Sequence, residues 1–218
     1  MIAIADILQA VSIILACWAV IAGIDAWRRE FVGKRRIALA EETLEAFFTI
    51  RDAIAFIRNP WSNTDAGISR KRREYETEEE TELLNRAYIV YERYQAKEEV
   101  FARFATLKYR FMAAFGKDTE DIFTRTQKTL NRIFVAAQML GTHYWQRQGR
   151  VQMSDEEFKK HLDEMHREEE VFWDLNKAND EIRTNLNGIL SDLEKVTAPA
   201  FQSESTLYRL MTERLFRE

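Results

Sequence analysis

The sequence predicts an all-α protein: an N-terminal transmembrane helix followed by an up-down bundle of long helices with coiled-coil character. Three observations predict it. Gly and Pro are scarce, at 7 and 2 of 218 residues, so the chain has few points where a helix must stop. Residues 7–24 (ILQAVSIILACWAVIAGI) carry no charge. Beyond them, apolar residues recur at spacings of three and four over four long stretches, each bounded by a Gly, a Pro or a capping signal. The corresponding partition is a membrane anchor over 1–27, a basic juxtamembrane segment over 28–36, and a helical bundle over 37–218.

The anchor comes first. Eighteen uncharged residues make about 27 Å of helix at 1.5 Å each, close to the hydrocarbon thickness of a bilayer. Nine of them are Ile, Leu or Val, which together favour insertion by roughly 3 to 5 kcal/mol, less what Gln9 and Ser12 subtract. The oil then gives way to base. Arg28, Arg29, Lys34, Arg35 and Arg36 follow within twelve residues, and no Lys or Arg precedes them. Basic residues are retained on the cytoplasmic side, so the body is expected in the cytoplasm and the short N-terminus outside. Trp27 stands where an interfacial aromatic anchor belongs, and the five bases can attract anionic lipid head groups. A secretory signal needs a basic n-region, which is missing here. "ILAC" (Ile14–Cys17) resembles a lipoprotein signal, but the run stays apolar through Ile24. A buried core helix would show a polar face, and the run has none. Ser12 with Ala16 and Ala19 with Gly23 place small residues at four-residue spacing, a pattern that permits self-association in lipid.

The first helix is expected to run past the membrane to Arg58, with Gly33 as a soft point and Ile37, Ala40, Leu44, Phe47 and Ile54 on one face, Phe48 and Ala55 beside them. "NPWSNTDAG" ends it, because the residue before proline is pushed out of helical geometry. A second helix starts at the Thr77/Glu80 capping box and runs to Gly116, with Leu83, Ala87, Val90, Tyr94, Phe101, Phe104, Phe111 and Phe115 on its core face. A third, from Asp118 to Gly149, carries Phe123, Thr126, Leu130, Ile133, Ala137, Leu140 and Tyr144. The fourth starts at the Ser154/Glu157 box and runs to Pro199. In heptads from Phe158, its a positions are Phe158, Met165, Phe172, Asn179, Leu186 and Leu193. Its d positions are His161, Glu168, Leu175, Ile182, Ile189 and Val196. Nine of these twelve are apolar, the pattern of a coiled coil within or between chains. The candidate helix-pairing interface is therefore Phe158, Met165, Phe172, Leu175, Asn179, Ile182, Leu186, Ile189 and Leu193. Asn179 at an a position can select register and oligomer state, and the competing and favoured reading is that it faces solvent or caps a neighbour within one chain. A short amphipathic helix with Leu207, Leu210, Met211 and Leu215 closes the chain.

Charge and chemistry narrow the function. Residues 1–36 have a net charge of +2, which leaves −6 for the rest. An acidic body of this kind is not the usual footprint of a nucleic-acid-binding domain, so no nucleic-acid partner is expected. "SRKRRE" (Ser69–Glu74) is the local exception, and it runs directly into "YETEEETE", which neutralises it. Cys17 is the one cysteine and lies in the apolar run, so no disulfide or thiolate metal site forms within one chain. Of the three histidines, His161 and His166 lie in "HLDEMHREEE", where Asp163 and His166 loosely match the Glu-x-x-His of di-metal bundles. That chemistry requires a second such pair, and Leu140 stands three residues before His143. No nucleophile–base pair and no Gly-rich phosphate loop is present. No catalytic residue, cofactor, metal or small-molecule substrate is therefore assigned, and the chain is not expected to be an enzyme.

"WRREFVGKRRIALAEETLEAFFTIRDAIAFIRNPW", "LKYRFMAAFGKD" and "LGTHYW" resemble a group of uncharacterised bacterial proteins with one N-terminal membrane anchor and a helical cytoplasmic body. The resemblance covers roughly residues 20–175. It implies bacterial origin and the same layout, and carries over no activity or functional residue. The expectation is a scaffold or interaction protein of the bacterial inner membrane, bound to the bilayer and to itself or a protein partner. The alternatives are a membrane-perturbing effector of a defence or stress response, and a metal-dependent bundle enzyme.

Overall fold

The computed structural model describes residues 2–61 and 66–201, with side chains from Gln9 onward. Its described elements are all helical: α1 (Ile2–Ile57), α2 (Glu78–Gln95), α3 (Glu98–Phe115), a 3₁₀ turn (Lys117–Thr119), α4 (Glu120–Met139), a π-helical segment (Leu140–Tyr144), the single turn α5 (Trp145–Arg147), α6 (Asp155–Phe172) and α7 (Glu181–Phe201). The chain divides into two compact units, residues 1–41 with 197–218, and residues 42–196. The boundary thus falls a few residues beyond the basic segment. The expected C-terminal amphipathic helix at Leu207–Leu215 lies outside the described residues.

In the first unit α1 passes through Gly33 without interruption. Pro199 does not end α7, which continues to Phe201. This corrects the expected stop. A proline forfeits one backbone hydrogen bond and strains the preceding turn, a local cost that a helix can carry with a kink.

The second unit holds an aromatic core. Phe47, Ile50, Ile54 and Ile57 of α1 are buried, as are Phe104, Leu107 and Phe111 of α3 and Phe123, Leu130 and Ile133 of α4. Phe104 stacks on Phe123 at 4.6 Å and tilts against Phe47 at 5.9 Å. On α1 the inner stripe is Phe47–Ile54. Phe48 and Ala55, one residue on, face solvent.

Two expected long helices are broken. The second is split between Gln95 and Glu98, with no Gly or Pro at the break. Tyr94 and Phe101 have ring centroids 5.2 Å apart. Seven residues of straight helix would separate their backbones by about 10.5 Å. Across the turn at Ala96–Lys97 the two rings meet, and Phe134 of α4 packs on Tyr94 at 5.2 Å and on Tyr91 at 5.0 Å. Tertiary packing thus sets the break.

The fourth helix is broken at Trp173–Asp180. Asn176 adopts a left-handed φ of 56° there, and its N–H donates to Asp174 Oδ1 at 3.0 Å. Asp180 caps α7, accepting from the Arg183 N–H at 2.7 Å. Short Asn and Asp side chains that bond nearby N–H groups favour turns and caps over helix interiors. The run DLNKAND therefore ends one helix and starts another.

Arg58, the residue after α1, locks this connection. Its side chain is 2% exposed and donates to Val171 O (2.8 Å), Glu170 O (2.8 Å), Trp173 O (3.1 Å) and both Asp180 oxygens (3.0 and 2.6 Å). Arg93 of α2 donates to the carbonyls of Ile57, Asn59 and Trp61, satisfying the end of α1.

The basic linker is tied down. Gly67 and Ser69 donate their N–H groups to Glu92 at 2.6 and 2.8 Å, and Arg70 forms an ion pair with Glu76. Hydrogen bonds from Arg70, against the opposing effect of burial, hold the Glu76 carboxyl at about 2, down from 4.5. A folded pKa below the unfolded one stabilises above the unfolded value. The linker should keep its protection from hydrogen exchange at pH 5 and above, and lose it as pH falls from about 4.5 towards 2. In Glu76→Gln that acid-dependent step should vanish, and a variant that retained it would place the titrating group elsewhere.

Candidate functional site: the apolar segment and its basic collar

One helix among the described residues is long and apolar enough to cross a membrane. Its best 18-residue window has a mean hydropathy of 2.0 and none of it is buried. Large side chains that would normally form a core face outward instead: Ile14, Leu15, Trp18, Val20, Ile21 and Ile24 are 58–69% exposed. Isolated exposed hydrophobics are ordinary, but a contiguous run around a helix marks an interaction surface.

The collar begins three residues after Ile24. Trp27 stacks on Phe31 with centroids 5.7 Å apart, and the Arg35 guanidinium lies 5.4 Å over the Phe31 ring. The spacing of four brings these three side chains onto neighbouring turns. Lys34 pairs with Glu30 at 2.7 Å, and its hydrogen bond draws the Glu30 carboxyl below the ordinary range. This local pairing offsets the one acid inside the collar. Arg28 and Arg35 are seven residues apart, as are Arg29 and Arg36, so two arginine columns run along the helix. All five sequence-predicted bases and Trp27 therefore share a three-turn stretch at the end of the apolar run.

The nine candidate pairing residues do not form one surface. Met165, Phe172, Ile182, Leu186, Ile189 and Leu193 are buried in this chain. Phe158 and Leu175 are 42% and 47% exposed, and Asn179 is exposed in the connection between α6 and α7. Asn179 thus occupies no a position of a continuous helix. The heptad count bridged a turn, because the residues on either side of it are apolar in the same register.

The histidines are dispersed. His161 is buried, with Nε2 sealed from solvent and without a hydrogen-bond partner, and its ring lies 5.7 Å from Tyr144. His143 Nε2 is 3.3 Å from Arg147, and His166 is exposed. No group of three His, Cys, Asp or Glu side chains among the described residues could hold a metal ion. A cleft of about 400 Å³ beside Tyr144 is lined by Arg132, Glu164, Arg167 and Glu168. Arg132 and Glu168 satisfy one another in a bidentate pair at 2.6 and 3.0 Å. Burial pushes the Tyr144 phenol up, and Glu164 and Glu168 add to the shift. "LGTHYW" spans the π-helical segment and the start of α5. The π turn in it, which aims Trp145 Nε1 at Glu169 (2.8 Å), was not foreseen. Arg58 was missed as well; an arginine directly before Asn-Pro, at the end of an apolar stripe, was its one visible signal. Protein-family models, curated proteins and solved structures contain no match to this chain.

Proposed function

We propose that this chain is a membrane-anchored helical scaffold of the bacterial inner membrane, whose N-terminus lies outside and whose helical body engages a second copy or a protein partner in the cytoplasm. The observation that carries the reading is the solvent-facing apolar run of residues 9–24 ending in the collar Trp27–Arg36. The run supplies the insertion energy, and the collar supplies the orientation. Arg28, Arg29 and Arg35 are also placed to meet lipid phosphates, at about 1 kcal/mol per base near an anionic surface.

Topology is testable with one thiol. In a Cys17→Ser background, Ser69→Cys should resist a membrane-impermeant maleimide in intact cells and react after lysis. Labelling in intact cells would reverse the orientation. Changing Arg28, Arg29, Lys34, Arg35 and Arg36 together to Gln should give mixed labelling. The native mass of full-length protein, purified gently in detergent from its own host, tests the scaffold. Multiples of 25.8 kDa indicate self-assembly, added mass that is not a multiple indicates a partner, and a lone protomer contradicts the proposal.

A further inference from the structure

We infer that the groove between α3 and α4 is a binding site for a single-chain anionic amphiphile, a medium-chain fatty acid. The groove encloses about 330 Å³, at the lower end of the range for small-molecule sites. Its floor is the aromatic core itself: Ile50, Phe104, Phe123 and Leu130 line it and are each at most 6% exposed. The one buried hydroxyl on that floor, Thr126, donates to Ile122 O at 2.8 Å and so asks nothing of a ligand. Such a wall suits an alkyl chain.

The rim supplies the sign of the head group. Lys108 and Lys128 line the groove, and no carboxylate does. Four other clefts of the 42–196 unit each present at least one acid: Glu164, Glu78, Glu157 and Glu181 respectively. The slot has no acid in its lining, on a body of net negative charge, and its uncompensated charge is that of Lys128, which also borders the neighbouring cleft of Glu181. Lys108 is held in place by Glu120 at 2.8 Å. Lys128 is exposed and makes no ion pair among the described residues, so it is available to a carboxylate. A cationic or uncharged amphiphile would fill the slot without engaging the Lys128 amine. The inference is independent of how the chain is anchored.

The test uses full-length protein in native membranes and a decanoate analogue with a photoreactive diazirine at the end of its chain. After irradiation, peptide mapping should place the label within residues 101–108 and 123–130. Unmodified decanoate should compete, and decyltrimethylammonium, with the same tail and the opposite charge, should not. Ala105 is exposed and lines the groove, so Ala105→Trp should fill it and cut labelling at least fivefold. Lys128→Glu should weaken decanoate competition by about five- to tenfold. Label in the apolar run of residues 9–24 reports the bilayer and is not counted. Label distributed over exposed apolar residues elsewhere in the 42–196 unit, or equal competition by the two head groups at residues 101–108 and 123–130, would overturn the inference. So would undiminished labelling of a folded Ala105→Trp. If circular dichroism shows that Ala105→Trp is misfolded, Lys128→Glu and the head-group comparison decide the matter.

Discussion

Arg58→Met should lower the stability of the 42–196 unit by about 3–5 kcal/mol, a large effect for a single change. The guanidinium reaches three backbone carbonyls and both oxygens of a carboxylate that is itself 3% exposed. Its own carbonyl accepts the Asp174 N–H at 2.8 Å. Methionine replaces the volume and none of the donors. It would strand the Asp180 carboxylate and leave Val171, Glu170 and Trp173 carbonyls without partners, each with its own desolvation penalty. Arg58→Lys should not rescue the loss, because an ammonium cannot span a carboxylate and three carbonyls in a planar fork. Arg58→Met with Asp180→Asn should recover part of it, since the double variant removes the stranded charge while Asn keeps the cap on α7. Hydrogen exchange of residues 170–184 in full-length protein reads the effect directly, and a loss below about 1 kcal/mol would mean that water replaces the clamp at little cost. pH offers a second reading. Burial alone would raise the Asp180 carboxyl, but hydrogen bonds from Arg58 and the Arg183 N–H, and the charges of both arginines, hold it below its ordinary value. The folded pKa is the lower one, so the stabilisation is full above about pH 4 and disappears as pH falls through the folded value. Arg58→Met should abolish that part of the acid dependence.

What the sequence disclosed was local or periodic. The capping boxes form as their spacing requires: Glu80 N–H donates to Thr77 and Glu157 N–H to Ser154, with each glutamate returning a bond to the cap. The end of α1 is written in Asn59-Pro60, which no helix crosses easily. The apolar run and its collar are contiguous, so no tertiary knowledge was needed to see them. The two broken helices failed for different reasons. Between Gln95 and Glu98 there is no local signal, and only the positions of Phe101 and Phe134 explain the turn. At Trp173–Asp180 the signal was present, since Asp174, Asn176, Asn179 and Asp180 are four turn-forming residues in seven. A heptad count passed over them because Phe172 and Ile182 continue the stripe on either side. Averaging over a long window favoured continuity where a short cluster of capping residues should have prevailed. The position of Arg58 before Asn-Pro marks it, but not its partners, which lie more than a hundred residues away.

The second large effect is expected at Gly141, and its sign is opposite to what helix propensity gives. In an open helix Gly→Ala stabilises by about 1 kcal/mol. Here an added Cβ would come within 2.5 Å of the Ala87 Cβ, with Leu84 Cδ2 at 3.7 Å. Gly141 sits in the π segment, where α2 crosses at close range. The methyl of Ala87 has no rotamer to escape into, so the backbones must separate, and Gly141→Ala should cost about 1–3 kcal/mol net. The separation would be felt along the π turn. The Gly141 carbonyl accepts from Gln146 at 2.8 Å, the Trp145 N–H reaches back to Leu140 O, and the indole lies 4.5 Å from the Arg86 guanidinium of α2. Ala87→Gly alone should cost about 1 kcal/mol through lost propensity. Combined with Gly141→Ala it merely exchanges which side carries the methyl, so the pair should be more stable than the sum of its parts by 1 kcal/mol or more. Additive losses would mean that the damage comes from the π turn and not from the contact. A stabilising Gly141→Ala would mean that α2 yields freely, and that the glycine answers to some requirement other than close approach.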